Sequence, residues 1–183
     1  MKKLKKDQRG LTLIELVIVI ALTGIITAGI TMTIFQVFNM NTRTSNRMTA
    51  VSQVEHAGKL VSEDILEAQN VTPGANAGFP LTLTWTEVGE APNTYKVIYK
   101  LEDTSGPTIL WREYYIGSDP DSLSLNSTTK VAEYIDPDQT SIDPSTPCYF
   151  PDCGAFRYTL EVTANVGGQS ETREYEVKPR PGS

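Results

Sequence analysis

From Leu16 to Thr42 the chain carries no charged side chain, a run of 27 residues. Lys2, Lys3, Lys5, Lys6 and Arg9 crowd the positions before it. A secretory signal peptide is the simplest account of such a start, but its apolar region runs to only about 7–15 residues and ends at a small-residue cleavage site. Here the apolar stretch extends from Leu11 to Phe38 with no such site after it. At 1.5 Å per residue it spans about 42 Å as a helix, against roughly 30 Å of bilayer hydrocarbon. A membrane helix that continues outward fits that length. The basic residues before it place the N-terminus in the cytoplasm and everything after Phe38 outside.

Charge divides the 183 residues further. Residues 1–10 carry +4, residues 11–73 carry −2 and residues 74–183 carry −8. An acidic C-terminal two-thirds argues against general nucleic-acid binding, which depends on Lys and Arg facing phosphates. One histidine, His56, and two cysteines are too few for a transition-metal centre.

Glu15 interrupts the apolar run, where a carboxylate costs about 2.5–3.5 kcal/mol on insertion scales. One reading keeps it near the headgroups, or bonded to the free N–H groups of its own helix start. The other has it waiting for a cation. Arg9-Gly10-Leu11-Thr12-Leu13-Ile14-Glu15 resembles the processing site of type IV prepilins and type II secretion pseudopilins. That resemblance implies a membrane prepilin peptidase that cuts after Gly10 and N-methylates Leu11. It makes Glu15 the assembly carboxylate, neutralising the new α-amino group of a neighbouring subunit. Leu11 stands where phenylalanine is commoner in the family. The implied partners are other pilin or pseudopilin subunits, the peptidase, an assembly ATPase and platform protein, and the membrane. The implied product is an extracellular or periplasmic filament.

Beyond Phe38 an apolar stripe at spacings of three and four (Met48, Val51, Val54, Ala57, Val61, Ile65, Ala68) predicts an amphipathic helix. Asn70-Val-Thr-Pro73-Gly74 reads as its stop. Gly58 and the mixed spacing speak against a coiled coil. Gly24 and Gly29 lie in the inner half, which has no proline, so no pronounced kink is expected. The expected divisions are a leader at 1–10, a membrane and assembly helix at 11–38, an amphipathic helix at 39–72 and a β-rich outer domain at 73–183.

In the outer domain, alternation predicts strands at Pro80–Val88, Thr94–Leu101, Thr108–Ile116, Lys130–Ile135, Phe156–Val166 and Glu171–Val177. Gly167-Gly168 between the last two reads as a hairpin turn. The fold class expected is α+β, a long N-terminal helix packed on an antiparallel sheet. Trp85, Tyr95, Tyr99, Trp111, Tyr114, Tyr115, Phe156 and Tyr158 read as cross-strand packing, with a carbohydrate or peptide platform as the lesser reading. Cys148 and Cys153 are expected to form a disulfide after export, closing a small ring worth about 2 kcal/mol. No catalytic residue and no bound cofactor are expected. Asp136, Asp138 and Asp143 are weak calcium candidates, because aspartates beside prolines are ordinary turn-formers.

These features read together as a filament subunit, minor rather than major. Ala57–Asn70 resembles the helix end of J-type minor pseudopilins and W-type minor pilins. The rivals are a membrane-anchored enzyme relying on carboxylates alone, and an adhesive or DNA-uptake tip subunit.

Overall fold

A computed structural model describes residues 12–87, 89, 92–103, 106–120, 122–145 and 157–180. The chain divides into two compact units at Thr44/Ser45. One helix, α1 (Leu13–Glu67), contributes to both.

Residues 13–44 of α1 are exposed on every side. The threonines do not interrupt this apolar surface. Thr23, Thr27, Thr31, Thr33 and Thr42 each donate their hydroxyl to the carbonyl four residues back, at 2.7–3.1 Å. Each polar group is thereby satisfied within the helix, the condition for a segment surrounded by hydrocarbon. The helix runs unbroken past Gly24 and Gly29, whose missing side chains leave open space beside them.

In the second unit, α1 lies on two antiparallel sheets. The first is a meander of β1 (Asn70–Gly74), β2 (Gly78–Thr86), β3 (Thr94–Glu102), β4 (Ile109–Gly117) and β5 (Ser124–Ala132). The second is β6 (Ser141–Ser145), β7 (Arg157–Val166) and β8 (Gln169–Val177). Ala50, Val54, Ala57, Val61 and Ile65 of α1 are fully buried in one core with Leu81, Leu83, Val97 and Tyr99 of the first sheet. Leu160, Val162 and Ala164 of β7 join the same core. The stripe is as the spacing predicts except at its start, where Met48 is 69% exposed and Ala50 takes the buried position.

Three expectations need correction. The helix ends at Glu67, and Asn70–Gly74 is a strand rather than a stop. Gln69 makes the transition: its N–H bonds Thr84 O, and its side-chain amide bonds both N–H and O of Thr86. A side chain thus continues the β1–β2 ladder where the backbone leaves it. Ser141–Ser145, where Asp143 beside proline reads as a turn-former, is also a strand. Both missed strands are five residues long and contain proline (Pro73, Pro144), which a sheet accepts at its edge. The strand expected at Lys130–Ile135 instead occupies Ser124–Ala132. Ser124–Lys130 are exposed throughout, so no buried face imposes alternation there. The chain then leaves the sheet, with Tyr134 at φ 62° and Ile135 bridging to Ala164 of β7.

The predicted β7–β8 hairpin turns through Gly167 and Gly168, at φ 55° and 79°. A second tight turn, Asn76–Phe79, places Ala77 and Gly78 at φ 49° and 86° and is closed by Phe79 N–H to Asn76 O at 2.8 Å. Two successive positive φ values are those of a type I′ turn.

Candidate functional site

The N-terminal site opens at Thr12. Its carbonyl accepts Leu16 N–H at 3.2 Å and its hydroxyl accepts Glu15 N–H at 3.4 Å. Thr12 is therefore the N-cap and Glu15 the third helical residue, the Thr-x-x-Glu spacing of a capping box. Glu15 lies in the first turn of α1, where the helix dipole favours a carboxylate. Gly10 and Leu11, the expected cleavage and methylation positions, lie outside the described residues.

The surface that follows Glu15 is apolar and uncovered. Leu16, Val17, Ile18, Val19 and Ile20 are each more than half exposed. An 18-residue window of α1 reaches a mean hydropathy of 2.5 with none of it buried, so this helix is long and apolar enough to cross a membrane. Gly24 and Ala28, with Thr23, Thr27 and Thr31, form a groove of small residues along one side. Small residues let another helix approach closely, the usual basis of helix pairing in lipid.

In the second unit the sheet is fastened to α1 by a buried cluster. Asp64 is 7% exposed. Its carboxylate accepts Arg112 Nε–H at 2.7 Å, Arg112 Nη2–H at 3.0 Å and the Tyr99 hydroxyl at 2.5 Å. Burial, reinforced by the Asp64 charge, pushes the Tyr99 hydroxyl far above the ordinary tyrosine range. Arg112 also lies over the Tyr114 ring at 5.1 Å, and Trp85, Tyr95 and Tyr114 stack in a row across three strands. Their faces are turned to one another, so the row is packing, as the sequence reading preferred. Phe156 lies outside the described residues. Asp64 looks from sequence like one more member of the polar face of α1, and only the register of β4 brings Arg112 to it.

His56 donates from Nδ1 to Val131 O at 2.7 Å, and Gln53 accepts Glu133 N–H at 2.7 Å. Both tie α1 to the end of β5. Tyr175 of β8 packs against Gly58 and donates to Val54 O at 3.3 Å.

A cleft of about 700 Å³ opens among Ala77, Phe79, Pro80, Leu101 and Pro137, with Glu102, Asp103 and Asp138 on its walls. The three carboxylates are exposed, and Asp103 accepts the Thr108 hydroxyl at 2.7 Å.

The calcium candidates stand on different elements. Asp136 accepts Asp138 N–H and the Gln139 side-chain amide within its own turn, whereas Asp143 stands on β6 opposite Thr159. Among the described residues no group of three His, Cys, Asp or Glu side chains is placed to hold a metal ion. Cys148 and Cys153 lie outside the described residues.

No curated protein and no solved structure matches the chain. A family model described as the prokaryotic N-terminal methylation motif matches residues 5–31. The match takes in the second half of the basic leader, Gly10, Leu11, Glu15 and the apolar start of α1. With the capped Glu15 and an apolar helix left uncovered, the chain carries the N-terminal signature of type IV pilin and pseudopilin precursors.

Proposed function

We propose that the chain is the precursor of a structural subunit of a pilus or pseudopilus. The peptidase removes residues 1–10 and methylates Leu11. The helix after it stores the subunit in the cytoplasmic membrane with the headpiece outside. Assembly then transfers that helix into a bundle of like helices, and Glu15 neutralises the terminal amine of a neighbour. The observation that carries this reading is the uncovered apolar surface beginning at a capped glutamate. Moving that surface from lipid to a helical bundle keeps it out of water throughout, so extraction does not incur the full hydrophobic cost.

The finer reading as a minor subunit of the J or W type rests on residues 57–70 alone, and counting subunits per filament tests it. The processing step is tested by intact mass in cells with and without the peptidase. The mature form is expected to begin at a methylated Leu11, ten residues shorter. A chain of the same mass in both strains would falsify the assignment. Glu15→Gln is expected to leave cleavage intact while sharply reducing incorporation into filaments. Unchanged incorporation overturns the role given to the carboxylate.

A further inference from the structure

We propose that the cleft bounded by Asn76–Pro80, Lys100–Asp103 and Pro137–Asp138 receives the Lys178-Pro179-Arg180 segment of a second copy, joining headpieces head to tail. This contact rests on the filament-subunit reading above.

The cleft combines an apolar floor with surplus negative charge. Phe79 is buried beneath it, and Ala77, Pro80, Leu101 and Pro137 line it. Glu102, Asp103 and Asp138 face one cation, Lys100, whose ammonium is committed to Glu113 at 2.7 Å. None of those three carboxylates has an ion-pair partner among the described residues. Such a site suits a long cationic side chain, with its stem on the apolar floor and its head at the rim.

The complement is on the same chain. Of the basic residues described from Ser45 onward, Lys96, Lys178 and Arg180 alone lack an ion-pair partner among the described residues. Two of these flank Pro179, whose fixed φ keeps the segment extended and lowers the entropy lost on docking.

Strand register excludes the chain's own cleft as the destination. β6 and β8 are both antiparallel to β7, so they run the same way. The cleft lies at the start of β6: Pro137 and Asp138 precede Ser141, and Ile142 N–H bonds Ala77 O. β8 ends at Val177, opposite Tyr158 and alongside Pro144 at the far end of β6. Lys178 therefore leaves the sheet heading away from the cleft, and three extended residues reach only about 10 Å. A patch at one end with its complement at the other makes a heterologous contact. Such contacts repeat into open filaments unless the rotation closes a ring.

The test uses the full-length chain in a host that assembles it, with Asn76 replaced by p-benzoylphenylalanine. Illumination of sheared filaments is expected to give a dimer whose linking peptide contains residues 178–180. Lys178→Glu with Arg180→Glu is expected to cut that product at least tenfold. Adding Glu102→Lys with Asp138→Lys to the same chain is expected to restore it to within about twofold, which a folding defect does not do. Filaments that form normally without this crosslink, or a crosslink indifferent to both reversals, overturn the contact and leave the subunit reading standing. A processed chain absent from every filament fraction overturns the subunit reading, and the contact with it.

Discussion

Asp64→Asn is the substitution that asks most of the headpiece, because it changes a charge and almost no volume. The carboxylate is 9% exposed and the Arg112 guanidinium 19%, so solvent screens neither strongly. Asparagine keeps one acceptor oxygen but turns an NH₂ group toward Arg112 or Tyr99, both of which donate to Asp64. The guanidinium is then buried without a counter-charge, a loss of about 3–5 kcal/mol when one partner of a buried pair is removed. A domain of this kind has a total stability of about 5–15 kcal/mol, so the change takes a large share of it. Urea unfolding of the full chain in detergent micelles, followed by the fluorescence of Trp85 and Trp111, reads the headpiece directly. With an m-value near 2 kcal/mol/M, the midpoint is expected to fall by about 2 M. Tyr99→Phe removes one hydrogen bond to the same carboxylate and is expected to cost less, about 1.5–3 kcal/mol. Replacing the cluster together, Asp64→Leu with Arg112→Met and Tyr99→Phe, removes both desolvation penalties without leaving the Tyr99 hydroxyl buried and unbonded, and is expected to recover most of the loss. A cost below about 1 kcal/mol for Asp64→Asn, or a triple replacement worse than the single one, refutes the claim that this ion pair fastens helix to sheet.

The same cluster predicts a response to alkali. Burial holds the Tyr99 hydroxyl protonated in the folded chain at pH values where an unfolded tyrosine ionises. Stability is therefore complete below about pH 10 and falls above it, by up to about 1.4 kcal/mol per pH unit for each retained proton. Unfolding measured from pH 9 to 11 is expected to show this slope, reduced by about one proton in Tyr99→Phe. Gly58→Ala places a Cβ 2.0 Å from Tyr175 Cε2, so the ring must move and its bond to Val54 O is lost. Overpacking of about 1–3 kcal/mol exceeds the roughly 1 kcal/mol gain in helix propensity, and a melting temperature at or above the parent's contradicts that balance. Ala77→Asn acts in the opposite direction. Ala77 holds φ 49° in a type I′ turn that favours asparagine, so the substitution is expected to raise stability by about 0.5–1 kcal/mol in the same urea assay.

Where a residue faces two different solvents, the sequence exposes it; where both faces meet the same one, it does not. Val54, Ala57, Val61 and Ile65 are legible because one side of α1 meets the core and the other meets water. The strands β2, β3, β4, β7 and β8 are legible for the same reason, to within a few residues at their ends. Ser124–Lys130 is not, since water lies on both sides and Ser, Thr and Asn serve equally well at every position. Pro73 and Pro144 read as breaks because proline is excluded from central strands, and nothing local says that a strand will lie at an edge. Of the N-terminal site, Glu15 was legible as an anomaly in an apolar run. Its cap is also written locally, as Thr12 three positions earlier. The Asp64–Arg112 pair spans 48 residues and depends on strand register, which residue types do not encode.

The two units manage association by opposite rules, and this bears on how copies of the chain meet. The first leaves more than thirty residues of helix bare, with its threonines bonded inward, so little resists close packing against another helix. The second guards the edges of both sheets. β1 and β6 are short and carry proline, β5 has two register shifts against β4 and a lysine near its end, and β8 presents Glu171, Arg173 and Glu174. These are the devices by which sheets avoid fusing edge to edge. Headpieces crowded together by packed helices would otherwise meet at high local concentration with open ladders. With those ladders blunted, contact between headpieces passes to side chains and clefts, which come apart more readily than a continuous sheet. Removing the guard is therefore expected to be harmful only where copies are crowded. Pro144→Val with Asp143→Val is expected to leave the dilute chain monomeric in micelles while promoting irreversible aggregation in assembled filaments, followed by thioflavin fluorescence. Equal aggregation in both states places the hazard in folding rather than in crowding.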